Sequence, residues 1–556
     1  MEKFKNREGI NRILNIVDKV LIFVVTASVI TFILFPMWMV MVKSVNIGGE
    51  FSLSMYKSLL MKNSKLIYNS LIVAVSTTVL TTIMTIIISV YASIANKWVS
   101  RFINLTLMLT MISPPFVTSL SYITLFGRRG FITHDILGLT LNTYGFYGIV
   151  LMQSLGFISL SSILLIGIIK SLNMDTIQSA RDLGADTSSI ITDIIIPMIR
   201  PGILVVAVLA FVRSLADFST PAIIGGSFNT LAAESYYSVI AYSNINRAAA
   251  INTLIFIPAL IGFLIFRHSM EKLPMVGGST TASESKVPRS GILYYVFGVF
   301  TFLFLFALIM QYGSILLSAI TKKQRGVMYF TLDNIIESKN HINTTIFRSI
   351  GYSLIAAIGG TAIGYLLSYY REIRKLKWMK AVDFIATMPY IIPGTFFGLG
   401  YILAFNDYTL PLTGTAAIVI INVLFKQLPF SAKIADSTLK QIRPESIDAC
   451  KDLGGHEMNV LKDVLVPSSK PGFFLSFINN FTATMTTVGS IIFLVYPGQK
   501  LATLIMFDVI QSGKYRIGAV IACLLILVVM LFNISFYLLF LSDKKPLKNK
   551  TKAKGV

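Results

Sequence analysis

"QSARDLGADTSSIITDIIIPMIRPG", residues 178–202, is a polar, glycine-hinged segment in an otherwise apolar chain, and "DACKDLGGHEMNVLKDVLVPSSKPG", residues 448–472, repeats it. Aligned over 174–202 and 444–472, eight of 29 positions are identical, among them Asp182/Asp452, Leu183/Leu453, Gly184/Gly454, Pro197/Pro467, Pro201/Pro471 and Gly202/Gly472. The glycine-to-proline spacing is 13 in both copies, and the offset of 270 is close to half of the 556 residues. Matched residues at matched spacing indicate an internal duplication, and the rest of the chain is read outward from it.

Hydrophobic residues make up 54% of the chain and charged residues 13%, about half the charged share of a soluble domain. That composition predicts a polytopic membrane protein. Val20–Val42 is 23 residues without a charge, Phe146–Ile169 is 24 and Ile517–Leu541 is 25, each long enough to cross a bilayer. With less clean runs included, twelve membrane helices are expected: 20–43, 67–94, 103–127, 145–171, 200–224, 249–267, 291–320, 345–370, 380–404, 412–438, 471–495 and 515–542. The first follows a basic stretch but is too long for a signal-peptide core, so it reads as a retained helix. The fold class is therefore all-α, with two parallel six-helix repeats over 1–270 and 291–556. They are joined by "EKLPMVGGSTTASESKVPRS", 271–290, a Ser/Gly/Pro-rich cytoplasmic linker.

The net charge of +22 is a membrane pattern here, since no nucleic-acid module is present. Alternate loops and both tails carry 31 of the 48 basic residues, which assigns that side, the termini and both polar repeats to the cytoplasm. Three further basic residues, Arg213, Arg348 and Lys426, belong to neither set of loops. Cys450 and Cys523 stand apart, the four histidines are scattered, and no metal-ligand spacing occurs.

Within the first repeat, Ile177, Ala180 and Leu183 recur every three residues, giving an apolar stripe on a short helix that Gly184 terminates. A second short helix fits 187–196, with Ile190, Ile191, Ile194 and Ile195 on its apolar side and Pro197 at its end. The second copy has Ile447, Cys450, Leu453, Gly454, Val460, Leu461, Val464 and Pro467 in these places. Each half thus presents two short amphipathic helices at the cytoplasmic face. A lone copy reads equally well as a helix lying at the lipid interface.

These residues resemble the EAA loop of ABC-importer permeases. Gln178-Ser179-Ala180, Gly184 and Pro197 match it in one half, and Asp448-Ala449-Cys450, Gly454 and Pro467 in the other, with Gln178 and Asp448 replacing the usual glutamate. Over nearly the whole chain the sequence is similar to fused two-domain permeases assigned to ferric iron uptake, on "SPPFVTSLSYITLFGRRGFI" (113–132), "LADFSTPAIIGGSFNTLAAESYYSVI" (215–240), "MPYIIPGTFFGLG" (388–400) and "MTTVGSIIFLVYPG" (485–498). Similar permeases are assigned to aminoethylphosphonate, thiamine, sulfate and polyamines. The resemblance implies a multi-pass bacterial inner-membrane protein of a type I importer. It also implies a homodimer of ATP-binding subunits docked at the cytoplasmic loops, and an extracytoplasmic solute-binding protein. Gln178, Ala180, Arg181, Asp182, Gly184, Pro197, Asp448, Ala449, Lys451, Asp452, Gly454 and Pro467 are the coupling candidates, with the isoleucine stripe expected to bury itself in the partner. No phosphate-cradling loop is present, so the chain itself binds no cofactor, and ATP and Mg belong to the partner ATPase.

Charges at membrane depth mark a pathway or an internal pair. Arg213 and Asp217 are i,i+4 neighbours and can pair with each other; their counterparts are Ala483 and Thr487. Thr220, Asn480 and Thr487 complete the pathway candidates. Pro114, Pro115, Pro389, Pro393 and Gly394 predict broken helices. External loops 225–248, 321–344 and 496–514, with Glu234, Lys322, Lys323, Arg325, Lys500 and Lys514, are expected to dock the binding protein. An ion-coupled secondary transporter, or a membrane scaffold, is the competing class. The one deep carboxylate, Asp217, argues against the former, and duplicated coupling loops against the latter.

Overall fold

The computed structural model describes residues 2–139, 142–172, 174–271, 290–324, 327–406, 410–496 and 498–540. Arg325 and nearly all of the 271–290 linker lie outside these residues. Among the described residues eight helices are long and apolar enough to cross a membrane, or up to eleven when each sharply bent pair counts as one span, against the twelve expected. The expected span 471–495 is helical only over Lys470–Thr486, because Thr487 turns to extended backbone and turns follow.

Both halves run through one order of elements. A leading helix (Arg12–Val45; Ile292–Ile320) ends in a two-stranded antiparallel hairpin, Asn46–Ile47 with Glu50–Phe51 and Thr321–Gln324 with Val327–Phe330. A short helix (Ser54–Lys62; Asp333–Ile342) and a long one (Ser64–Ile94; Thr345–Ile373) follow. A bent pair comes next: Lys97–Ile112 with Phe116–Ile136 at 103°, and Met379–Tyr390 with Gly394–Phe405 at 116°. The breaks fall at Ser113-Pro114-Pro115 and around Pro393, where a proline forces its predecessor away from helical backbone. Phe146–Lys170 and Ala416–Leu439 then lead into the polar repeats, and Ile245–Glu271 and Tyr515–Phe540 close the halves.

The leading helices are exchanged between halves. In the first, Asp18 accepts from the Tyr370 hydroxyl at 3.1 Å and pairs with Arg374 at 3.0 Å, while Phe32 stacks on Phe425. In the second, Gly298 lies against the Tyr91 ring and Tyr312 is 2.9 Å from Ser113. One apolar core therefore runs across both halves, from Val25 and Val29 to Phe477 and Val529.

Candidate coupling surface and central pocket

Each polar repeat folds as two short helices around a left-handed glycine. In the first copy, helix Met174–Asp182 ends at Gly184 (φ +88°), whose N–H donates to the Arg181 carbonyl at 2.9 Å while the Ala185 N–H reaches the Ala180 carbonyl at 3.0 Å. Helix Pro444–Asp452 ends the same way at Gly454 (φ +79°), with Gly454 N–H to Lys451 at 2.8 Å and Gly455 N–H to Cys450 at 2.9 Å. This is the paired hydrogen-bond closure that satisfies the last carbonyls of a helix. Asp186 caps the next helix by accepting from the Ser188 and Ser189 amides; in the second copy the His456 ring accepts from Met458. Hydrogen bonding from Ser189 holds the Asp186 carboxyl below its ordinary value of 3.8.

Proline shapes the second helix of each repeat. A proline ring clashes with the carbonyl four residues back and removes one donor. The helix answers with a π-helical turn just before Pro197 (Ile190–Ile195) and before Pro467 (Val460–Leu465). There the Ile196 and Val466 N–H groups donate to Ile191 and Leu461, five residues back. A 67° bend then leads from Thr187–Met198 into Arg200–Ala216.

Burial corrects the expected docking face. Ile190, Ile191 and Ile195 are buried in this chain's own core with Ile177, as are Val460 and Leu465 in the second copy. The isoleucine stripe thus holds the loop to the membrane domain and is not available to a partner. The apolar groups presented outward are Leu183, 89% exposed, and Leu453, 86% exposed, each directly before the hinge glycine. In the sequence both belong to the same apolar stripe as Ile177 and Ile447, but only those two isoleucines turn inward. Around them Gln178, Arg181, Asp182 and Gly184, and Asp448, Ala449, Lys451, Asp452, Gly454 and Pro467, are exposed, while Ala180 and Pro197 are half-buried. Lys451 pairs with Glu457 at 3.0 Å, and Glu457 lies 3.9 Å from Arg374, which ties the second loop to the leading helix of the first half through Asp18.

A pocket of about 240 Å³ lies between the halves, lined by Phe157, Val212, Arg213, Ala216 and Asp217 from the first and by Tyr390, Ile391, Ile392, Gly394 and Lys426 from the second. Helix Arg200–Ala216 stops just before Asp217, so the expected Arg213–Asp217 ion pair does not form among the described residues. Extended backbone at Asp217 instead turns its carboxylate back as a cap. One oxygen accepts from the Ser219 hydroxyl and amide and, at 3.3 Å, from the Thr220 amide; the other accepts from Gln153 Nε2 at 3.0 Å. Gln153 in turn accepts from Ser214 at 2.6 Å. Lys426 donates to the Pro389 and Ile392 carbonyls, both at 2.6 Å, across the break of the bent pair, and its ammonium lies 5.8 Å from the Phe397 ring centroid. Close approach at that break requires glycine: a Cβ on Gly394 would stand 2.7 Å from the Gly489 carbonyl carbon.

Of the five pathway candidates, only Arg213 and Asp217 line this pocket. Thr220 is buried behind Asp217. Asn480 donates to Ser431 at 2.7 Å and Thr361 at 3.2 Å, inside the second half. Thr487 follows the end of its helix, and its carbonyl accepts from Thr503 at 3.0 Å. Lys426 and Gln153 went unnoticed as site residues, although a lysine inside an apolar run was the available signal for the first.

At the end of the bundle that carries the hairpins, a cavity of about 1000 Å³ lies beside the 321–330 hairpin and includes Lys322, Lys323 and Lys514 in its lining. Glu234, expected at the docking surface, is buried in an ion pair with Arg247 at 2.7 Å. Lys323, Lys500 and Lys514 pair with Asp135, Asp508 and Glu337.

The family described as "Binding-protein-dependent transport system inner membrane component" matches residues 84–273, a stretch holding the first polar repeat and Arg213. A ferric transport system permease protein of Actinobacillus pleuropneumoniae is 30% identical over 469 residues, 80% of this chain and 66% of that relative. A putative ferric transport system permease protein of Haemophilus influenzae is 31% identical over 410 residues, 70% of this chain and 63% of its own. The matched region is thus a little under two thirds of both relatives. The thiamine transport system permease protein of Escherichia coli is 22% identical over 456 residues, 79% and 81% of the two chains.

Proposed function

The chain belongs to the binding-protein-dependent inner-membrane permease family, and on that premise we propose that it is the membrane-spanning subunit of an ATP-driven importer. It passes a small solute, ferric iron as first choice, from an extracytoplasmic binding protein into the cytoplasm. Two copies of an ATP-binding subunit dock beneath it, one per polar repeat, and ATP and Mg are theirs. The observation that carries this reading is the pairing of Leu183 and Leu453. Each polar repeat presents a leucine almost fully exposed beside an equivalent left-handed glycine, so the two loops offer matching surfaces on which two identical partners can dock.

In mechanism, closure of the ATPase dimer moves the two loops together. Each loop is anchored by buried apolar side chains, Ile190, Ile191 and Ile195 in one half and Val460 and Leu465 in the other, and leads into the helix that carries Arg213 or its counterpart Ala483. The iron preference rests on the two ferric relatives; thiamine or aminoethylphosphonate is the alternative cargo for the same machine. An ion-coupled secondary transporter remains the other class.

The test is uptake into proteoliposomes containing the permease and the ATPase, with loaded binding protein outside. The expected result is vanadate-sensitive uptake that is lost, together with ATPase co-purification, in L183D/L453D. Uptake without any ATPase that collapses with a proton ionophore would replace this reading with the secondary-transporter one.

A further inference from the structure

The central pocket holds an arrangement that the coupling scheme does not use. An interrupted helix at membrane depth exposes backbone carbonyls, and such carbonyls are what a protein offers a cation there. In this chain the break between Met379–Tyr390 and Gly394–Phe405 is already filled: the Lys426 ammonium takes the carbonyls of Pro389 and Ile392 at 2.6 Å each. The seat therefore holds a tethered cation. Across the pocket stands Arg213, which forms no ion pair among the described residues. Its guanidinium offers a planar donor fork suited to oxyanions. Asp217 supplies the single negative charge, but its oxygens are taken up by Ser219, Thr220 and Gln153. Two cations face one engaged carboxylate, so the pocket is net positive. Among the described residues no three His, Cys, Asp or Glu side chains gather closely enough to hold a metal ion.

We propose that this pocket is selective for cargo bearing negative charge: an oxyanion, or a ferric ion carried inside an anionic ligand shell, and not the bare trivalent cation. This rests on reading the pocket as the path between the halves. Arg213 contacts the anionic group, and Lys426 both supplies field and keeps free cations out of the broken helix.

Charge selectivity is measured independently of transport by placing a cysteine at the pocket wall, A216C, in a background with Cys450→Ser and Cys523→Ser. The probes are anionic sulfonatoethyl methanethiosulfonate and its cationic trimethylammonium analogue, each rate normalised to that with free mercaptoethanol. A positive pocket gives at least about tenfold preference for the anionic reagent. R213Q, and separately K426M, should shrink or abolish that preference. Equal rates, a preference for the cationic reagent, or failure of both reagents to reach the cysteine would overturn the proposal. In the proteoliposome assay, labelled iron should enter together with a labelled anion such as citrate, and R213Q should lower both. Iron entering alone, unaffected by R213Q, defeats the proposal and leaves the importer reading standing. ATP-driven uptake of sulfate or a phosphonate in place of iron removes the iron assignment and upholds the proposal. Absence of any ATP-driven uptake, with the reagent preference intact, removes the importer reading alone.

Discussion

The Tyr401 hydroxyl of the second half donates to the Phe32 carbonyl of the first half's leading helix at 2.8 Å, and the ring is fully buried. Four residues beyond Phe32 stands Pro36, which has no N–H to donate, and the tyrosine supplies a donor to the Phe32 carbonyl. Because each leading helix lies against the opposite half, the halves are interlocked by packing, independently of the linker. Co-expressed fragments divided within 271–290 are therefore expected to co-purify in mild detergent. Tyr401→Phe should cost about 1 kcal/mol, one net hydrogen bond, in the unfolding midpoint of the intact chain. Fragments that migrate separately would show that the covalent join holds the halves together.

Gly184 and Gly454 have open space where a Cβ would stand, so substitution there is resisted by the backbone and not by crowding. At φ +88° and +79° an L side chain costs about 1–2 kcal/mol. Gly184→Leu is expected to redirect the loop tip that carries Leu183, leaving ATP hydrolysis running while uptake falls. Parallel assays of phosphate release and uptake check this; a wild-type ratio of the two would refute the hinge.

Arg371 lies among three carboxylates, Glu372, Asp383 and Asp436, of which Asp383 and Asp436 are buried. Removing its charge leaves Asp383 and Asp436 without the guanidinium that they share. Arg371→Met should destabilise the second half by about 3–5 kcal/mol, read as a fall in the thermal midpoint of the purified chain. A shift below about 1 kcal/mol would mean that water reaches the cluster.

Asp186 gives a pH dependence of known sign. Its carboxyl is held below 3.8 in the fold, so its capping contribution is present above the unfolded value and is lost as pH falls through the lowered one. Hydrogen exchange at the Ser188 and Ser189 amides should therefore lose protection only in strong acid. Asp186→Asn, which still caps, should keep that protection with no acid step. An acid step surviving in the variant would assign it to another group.

The duplication, the hinge glycines, the breaks at Pro114–Pro115 and Pro393, and most of the spans were legible because each follows from local rules: periodicity, proline sterics, apolar length. The direction of the loop helices was not. Ile190 and Leu183 are both apolar, and only the packing of the loop against Leu165, Ile169 and Ile199 decides that one turns inward and the other out. The expected span 200–224 puts Asp217 inside a helix, but that helix ends at Ala216, where no glycine or proline announces it. Gln153 and Lys426 join the pocket through tertiary contacts of 61 residues to Ser214 and 34 to Ile392, a range over which spacing carries no signal. The exchange of leading helices is likewise a long-range choice, fixed by pairs such as Asp18 with Arg374.

Arg213 stands opposite a half whose matching position is Ala483, Asp217 matches Thr487, and Lys426 matches Gly156. An assembly of two identical subunits must install every side chain twice, related by rotation about its axis. A guanidinium near that axis would then confront its own copy, and a lysine seated in one broken helix would be answered by a second. Joining the copies into one polypeptide lifts that obligation. Each position near the axis is free to drift on one side alone, so a lopsided charge becomes attainable at the centre while the two polar repeats keep the same hinge geometry.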